Sequence, residues 1–349
     1  MDVLSEILSI CRSERAVTAR FALTVPWGLR SAGVSGAMIR MGRGAPYWIA
    51  LPGMAPVQVE PDDLVMLPLG APHVLLSSPG QPTTPFADLI ARHAQGPLDE
   101  NPLVFAHGDG GALTDMFSAQ VWFSAYCRYS VFTILPQLIH IRAQQQPLAS
   151  GLADTMEALT KETLNRRPGW RLSAGRMGEL LLVNILREHL ATITTTTTTS
   201  GTGWLRGLSD PGVARAIGCV HRAPGQAWTV QTLASEAAMS RSAFSERFKA
   251  MVGTTPILYL TQHRMALAAQ QLEAATRSLQ QIAEDAGYES DKVFARAFRR
   301  WAGVTPTAYL RREASRRKSL IEGQALCGAY RLPPEDCSGS TTLPVRSTR

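Results

Sequence analysis

The chain has 349 residues, 45% hydrophobic and 18% charged, an ordinary globular composition and a length for two or three domains. Five cysteines (Cys11, Cys127, Cys219, Cys327 and Cys337) form no C-x-x-C pair, which argues against a disulfide framework or zinc site and for a reducing cytoplasm. No apolar run approaches the roughly 18 residues a bilayer requires, and Asp2 and Glu6 stand where a signal peptide carries positive charge, so the expectation is a soluble protein with no membrane partner.

The formal charge of +7 is unevenly spread. Residues 1–204 carry 15 basic and 16 acidic side chains, residues 205–312 carry 14 and 8, and residues 313–349 carry 6 and 4. A nearly neutral first part is joined to a basic module, which implies a polyanionic partner for the latter.

From about Phe21 to Leu76, short apolar pieces (FALTVPWGL, AMIRMG, PYWIALPG, VQVE, LVMLPLG, HVLL) alternate with Gly and Pro. Strands at intervals near ten residues predict a small all-β barrel or sandwich, which a second β-leaning stretch, Leu103–Thr133, completes. Ser150–Leu164 and Met177–Leu190 then place apolar residues at helical spacing, the first with Leu152, Met156 and Leu159, the second with Leu180, Leu181 and Ile185. Their apolar faces either pack on the β domain or meet a second subunit. The run from Thr192 to Ser200 reads as an exposed linker, and the tail after Arg312 as disordered.

The C-terminal part repeats itself. Leu233–Phe248 (LASEAAMSRSAFSERF) and Ile282–Phe298 (IAEDAGYESDKVFARAF) each give a short helix, a small-residue turn, a Ser cap and a second helix with Phe at i and i+4. Each continues to Gly-x-x-Pro, at Gly253–Pro256 and Gly303–Pro306. Burying Phe244 and Phe248 turns Ser242, Ser245, Glu246 and Lys249 outward; burying Phe294, Phe298 and Trp301 turns out Lys292, Ala295, Arg296 and Arg299. This is a helix-turn-helix twice over, at about 230–252 and 279–302, and such helices fit the major groove of double-stranded DNA.

The segment Trp228–Arg311 closely resembles the DNA-binding domain of AraC/XylS-type transcriptional regulators, most clearly in SRSAFSERFKAMVGTTPILYL and IAEDAGYESDKVFARAFRRWAGVTPTAYLR. PILYLTQHRMALAAQQL resembles that family's helix connecting the two modules. Upstream, DVLSEIL, VPWGL and PDDLVMLPLGAPHVL resemble the cupin-type sensor half of one branch, with Asp62 where the usual pattern has Gly. The resemblance implies two recognition helices in adjacent major-groove turns, an activator that meets RNA polymerase, and Asp291 and Ala295 at base-reading positions.

The expected organisation is therefore multidomain: a cupin-like all-β sensor over 1–145, a helical segment over 146–190 for a homodimer contact, a Thr-rich linker over 191–203, an all-α DNA-binding domain over 204–312 and a disordered tail over 313–349. Base contacts are assigned to Ser242, Ser245, Glu246, Asp291, Lys292, Ala295 and Arg296, since Arg bonds guanine O6 and N7 and Glu accepts from cytosine N4. Phosphate contacts fall to Ser240, Arg241, Lys249, Ser290, Arg299 and Arg300.

His73 is the candidate residue for a small-molecule effector pocket. No His-x-His lies upstream of it, and His93, His107 and His140 are scattered, so neither metal nor other cofactor is expected. No nucleophile elbow, P-loop, dinucleotide or HExxH motif is present, so an enzyme is not expected; the remaining enzymatic alternative is a cupin-type metal oxygenase with an accessory DNA module. Cys11 and Cys127 are weighed as redox sensors, which would require exposed, acidified thiols.

Overall fold

The computed structural model describes residues 2–8, 11–94, 102–124, 126–132, 135–145, 149–195 and 204–321. A short helix, α1 (Val3–Leu8), precedes strands β1 (Ser13–Thr24), β2 (Gly28–Ser31), β3 (Ala37–Gly44), β4 (Tyr47–Ala50), β5 (Val57–Val59), β6 (Leu64–Leu67), β7 (His73–Leu76) and β8 (Thr84–Pro85). Helix α2 (Phe86–His93) leads to β9 (Leu103–Gly108) and β10 (Leu113–Phe123), and after a single π-helical turn (Cys127–Val131) the last strand is β11 (Ile139–Ile141). Two sheets result, ordered β11-β6-β3-β10-β1-β9 and β5-β4-β7-β2-β8.

Period-two alternation places Val17, Phe21, Met38, Val65, Met116 and Trp122 between the sheets with Leu29, Ile49 and Leu75 from the smaller one. The other face of the six-stranded sheet, bearing Ala16, Ile39, Met66, Phe117, Val121 and Phe123, is covered too. Two helices cover it, α3 (Ala149–Asn165) and α4 (Trp170–Thr195), through Leu152, Met156, Leu181 and Ile185. Cover on both faces explains why β3 and β10 are buried almost continuously, polar Arg40, Ser118 and Gln120 included, rather than at alternate positions.

Three expectations need correction. The β-leaning stretch Leu103–Thr133 ends as strand at Phe123, and Cys127–Val131 are helical. Residues 191–195 belong to α4 rather than to a linker, and Thr192 Oγ1 donates back to the Glu188 carbonyl (3.0 Å) within it; residues 196–203 lie outside the described residues. The segment after Arg312 also begins as helix, because α12 (Pro306–Ile321) buries Glu313 and pairs it with Arg128; residues 322–349 lie outside the described residues.

The C-terminal half is all-α, with α5 (Trp204–Leu208), α6 (Pro211–Arg222), α7 (Val230–Glu236), α8 (Arg241–Val252), α9 (Pro256–Ala274), α10 (Leu279–Asp285) and α11 (Asp291–Ala302) before α12. The core of α7–α8, with Leu233, Phe244, Phe248 and Val252, is continuous with the apolar layer under α3 and α4. The core of α10–α12, with Ile282, Phe294, Phe298 and Tyr309, is a separate cluster closed by Met265, Ala269 and Leu272 of α9.

The halves meet behind the helix pairs. Helix α1 packs on α6, and the π turn packs on α9. The Tyr126 hydroxyl lies 3.0 Å from His221 Nδ1, and His221 Nε2 lies 2.8 Å from the Tyr259 hydroxyl. Arg128 reaches Glu273 of α9 (3.3 Å) and Glu313 of α12 (3.6 Å), and Tyr309 donates to Glu273 (2.7 Å).

Candidate nucleic-acid interface

Each helix pair is built the same way. Thr229 caps α7 and Ser278 caps α10, both in reciprocal capping boxes, with Thr232 and Gln281 returning the bond. Ser240 Oγ accepts from Ala243 N (3.3 Å) to start α8, and Ser290 Oγ from Val293 N (3.4 Å) to start α11. Left-handed Gly253 and Gly303 end those helices. The first helices start 49 residues apart, at Val230 and Leu279, and the second 50 apart, at Arg241 and Asp291, so the extra residue lies in the turn. In that turn the left-handed position is Ala238 (φ 57°) in one copy and Gly287 (φ 75°) in the other.

With Phe244, Phe248, Phe294 and Phe298 inward, Arg241, Ser242, Glu246 and Lys249 of α8 are exposed, as are Asp291, Lys292, Arg296, Arg299 and Arg300 of α11. Ser245 and Ala295 are half-buried, and Ser245 Oγ donates to the Arg241 carbonyl (2.9 Å). Ser240 and Ser290, assigned to phosphates, spend their hydroxyl oxygens on caps, and the Ser240 hydroxyl also lies 3.3 Å from that of Ser242. Among the described residues Lys249, Lys292, Arg296 and Arg299 enter no ion pair, whereas Arg247 is held by Asp210 (2.9 Å). Asp210 also caps α6 through Gly212 N and Val213 N (both 2.9 Å); burial alone would raise its pKa, but these bonds and Arg247 hold it below the usual carboxylate value.

Sequence reasoning missed Val293, an exposed apolar residue (40%) between Lys292 and Arg296. It lines a groove of about 890 Å³ with Arg296, Arg300, Ile257, Leu258 and Thr261, between α11 and the start of α9. The signal was available: Val293 follows the cap by three residues, on the edge of the outward face.

In the barrel, His73 is buried on β7. Its Nδ1–H donates to the Ala71 carbonyl (2.8 Å) and its Nε2 sits 3.3 Å from Arg40 Nη2. Burial and that guanidinium push its pKa down to about 3, so the ring is neutral. A cavity of about 40 Å³ between the sheets is lined by Arg40, Ser31, Ser118 and Gln120 with Phe86 and Ile90 of α2, and His73 stands behind Arg40 rather than on its wall. Asp62 takes a left-handed conformation (φ 66°), which favours Gly, and pairs with Arg43 (3.0 Å). Burial would raise the pKa of Asp63, but bonds from His140 (2.7 Å), Ala143 N (2.8 Å) and Glu60 N (3.2 Å) bring it below the ordinary value.

Cys11, Cys127 and Cys219 are buried and free; Cys327 and Cys337 lie outside the described residues. Burial pushes the Cys127 thiol up, with Cys11 adding to the shift, which is the reverse of an acidified sensor thiol. Among the described residues no three His, Cys, Asp or Glu side chains group as a metal site would need, and no helix is long and apolar enough to cross a membrane.

A cupin model matches residues 2–191 and a helix-turn-helix domain model matches residues 233–312. Over 319 residues the chain is 32% identical to an AraC-like transcription regulator of Streptomyces lividans, covering 88% of this chain and 98% of that protein. It is 34% identical over 161 residues to the RCS-specific HTH-type transcriptional activator RclR of Escherichia coli, covering 46% of this chain and 55% of that one. Among solved structures, the DNA-binding domain of AdpA in complex with a target DNA covers 31% of this chain and 97% of that chain, at 31% identity and a TM-score of 0.29. A cupin barrel joined to a helix-turn-helix domain defines a two-part, DNA-binding transcriptional regulator. The chain belongs to the AraC family of these regulators.

Proposed function

We propose that the protein is a sequence-specific transcription activator whose helices α8 and α11 enter adjacent major-groove turns of one DNA face. The observation that carries this reading is the pairing of two identically capped helices, each with one face welded into a core and the other offering side chains suited to base edges and phosphates. Ser242, Ser245 and Glu246 on α8, and Asp291, Lys292, Ala295 and Arg296 on α11, read bases. Arg241, Lys249, Arg299 and Arg300, with the Ser240 and Ser290 hydroxyls, grip phosphates. Activation through RNA polymerase is favoured by the family and by the one relative above named an activator.

The barrel acts as the sensor, and its small, mostly apolar cavity, with Arg40, Ser31, Ser118 and Gln120 as its polar groups, is the effector site. Its volume admits little more than water, so a larger effector requires α2 to swing aside. Leu172 (68% exposed) and Leu180 (50%) lie eight residues apart on the outer face of α4, which supports a homodimer contact there. The protein works in the cytoplasm, without catalysis, metal or cofactor.

Selection of genomic fragments by the purified chain tests the reading directly. It should recover one motif with two half-sites about one helical turn apart. Arg296→Ala should then lose about 1–3 kcal/mol at that motif and relax preference at one base pair, while Lys249→Ala should weaken all sequences alike and lower the salt slope by about 1. Equal losses for Arg296→Ala on the motif and on random DNA would remove the base-reading role.

A further inference from the structure

The two helix pairs have separate cores and share α9, which leaves open what fixes the angle between them. Besides the half-buried Trp301, which packs against both clusters, one polar side chain touches both pairs. Arg264, midway along α9, donates through Nε to the Pro224 carbonyl (2.6 Å) and through Nη2 to the Gln226 carbonyl (2.7 Å), holding the loop that leads into α7. That loop rests on the turn of the second pair. A Cβ on Gly225 would stand 2.9 Å from the Asp285 carbonyl, and a Cβ on Gly287 would stand 3.1 Å from the Gly225 carbonyl and 3.0 Å from the Arg264 guanidinium. Two glycines are therefore required where the backbones meet, and the guanidinium closes the contact from α9. Arg277 and Gln271 hold Asp285 on the far side of the same turn.

We propose that Arg264 is a positioning residue that locks the two modules into one geometry, so that the protein accepts its half-sites at a single spacing. This rests on the reading above that both α8 and α11 engage DNA. A guanidinium suits the task because its fixed fork holds two carbonyls at once, and neither carbonyl can be supplied by α9 itself. Inserting one base pair between the half-sites rotates the second by about 35° and moves it roughly 3.4 Å, which a locked pair cannot follow.

The test uses the full chain and the selected operator, together with versions carrying one inserted or one deleted base pair between the half-sites and a version holding one half-site alone. The wild-type chain should lose at least about tenfold in affinity on each spacing change, because simultaneous engagement is lost. Arg264→Ala should bind the native operator less tightly, tolerate both altered spacings to within about threefold of it, and match wild type on the single half-site. Arg264→Lys, which keeps the charge and one donor, should fall between and guards against a folding defect in the alanine variant. If either folded variant keeps the full wild-type spacing penalty, the joint does not set the geometry. A wild-type chain protecting only one groove turn would instead overturn the two-helix reading, and this inference with it.

Discussion

Phe298→Ala is the sharpest test of the division between the two helix pairs. The ring is fully buried, packed within 5.4–5.6 Å (centroid to centroid) of Phe294, Trp301 and Tyr309, in a cluster that includes no residue of α7, α8 or the barrel. Removing a buried Phe costs about 3–5 kcal/mol, and a core of this size rarely supplies more than about 3–5 kcal/mol of its own. The loss is thus comparable to the local stability of the second module, which should open while the rest stays folded. Hydrogen exchange of the full chain should show protection falling over Leu279–Ala302 and unchanged over Val230–Val252 and β10. Phe248→Ala, whose core runs into the layer beneath α3 and α4, should instead lower protection in both halves. If Phe298→Ala deprotects α7–α8 as much as α10–α11, the C-terminal half is one cooperative unit and the argument from separate cores fails.

Stability should also fall below neutral pH. Burial holds the pKa of His73 and His263 down to about 3 and that of His221 well below its ordinary value, so these rings are neutral when folded but take up protons near 6.5 when unfolded. Their contribution is complete above about pH 6.5 and is lost as pH falls towards 3; between pH 7 and 5 His73 and His263 each withdraw about 2 kcal/mol and His221 acts in the same direction, read as a lower urea midpoint, and equal midpoints would contradict it. Ala238→Gly should stabilise by up to about 1 kcal/mol in the same urea assay, because alanine stands in the left-handed region. Gly287→Ala, the matching position of the second copy, should destabilise by more than about 1 kcal/mol, since its Cβ meets both Arg264 and Gly225.

The doubled helix pair was legible because its signals are local: Ser caps, Phe at i and i+4, and Gly exits recur at fixed offsets and need no distant partner. The barrel strands were legible as apolar pieces, but not their burial on both faces, since an apolar run says nothing about what covers it. The helical start of the segment after Arg312 is not legible in composition, because it rests on a tertiary contact, Glu313 with Arg128; the helical end at 191–195 is hidden by a low-complexity Thr run that carries no helical periodicity. Arg264 was invisible as a candidate because its partners are backbone carbonyls, which have no residue signature. The join through Tyr126, His221 and Tyr259 links positions far apart in the chain, and no spacing rule brings them together.

The strand β10 carries Ser118 and Gln120 into the barrel cavity, and a few residues later the chain places Tyr126 and Arg128 against α6, α9 and α12. One strand thus has its middle in the cavity and its exit on the back of the DNA-binding half. A molecule that shifted β10 far enough to move Tyr126 and Arg128 would bias how that half is held, and thermodynamic linkage would then require an operator to change the barrel's affinity for that molecule by the same factor.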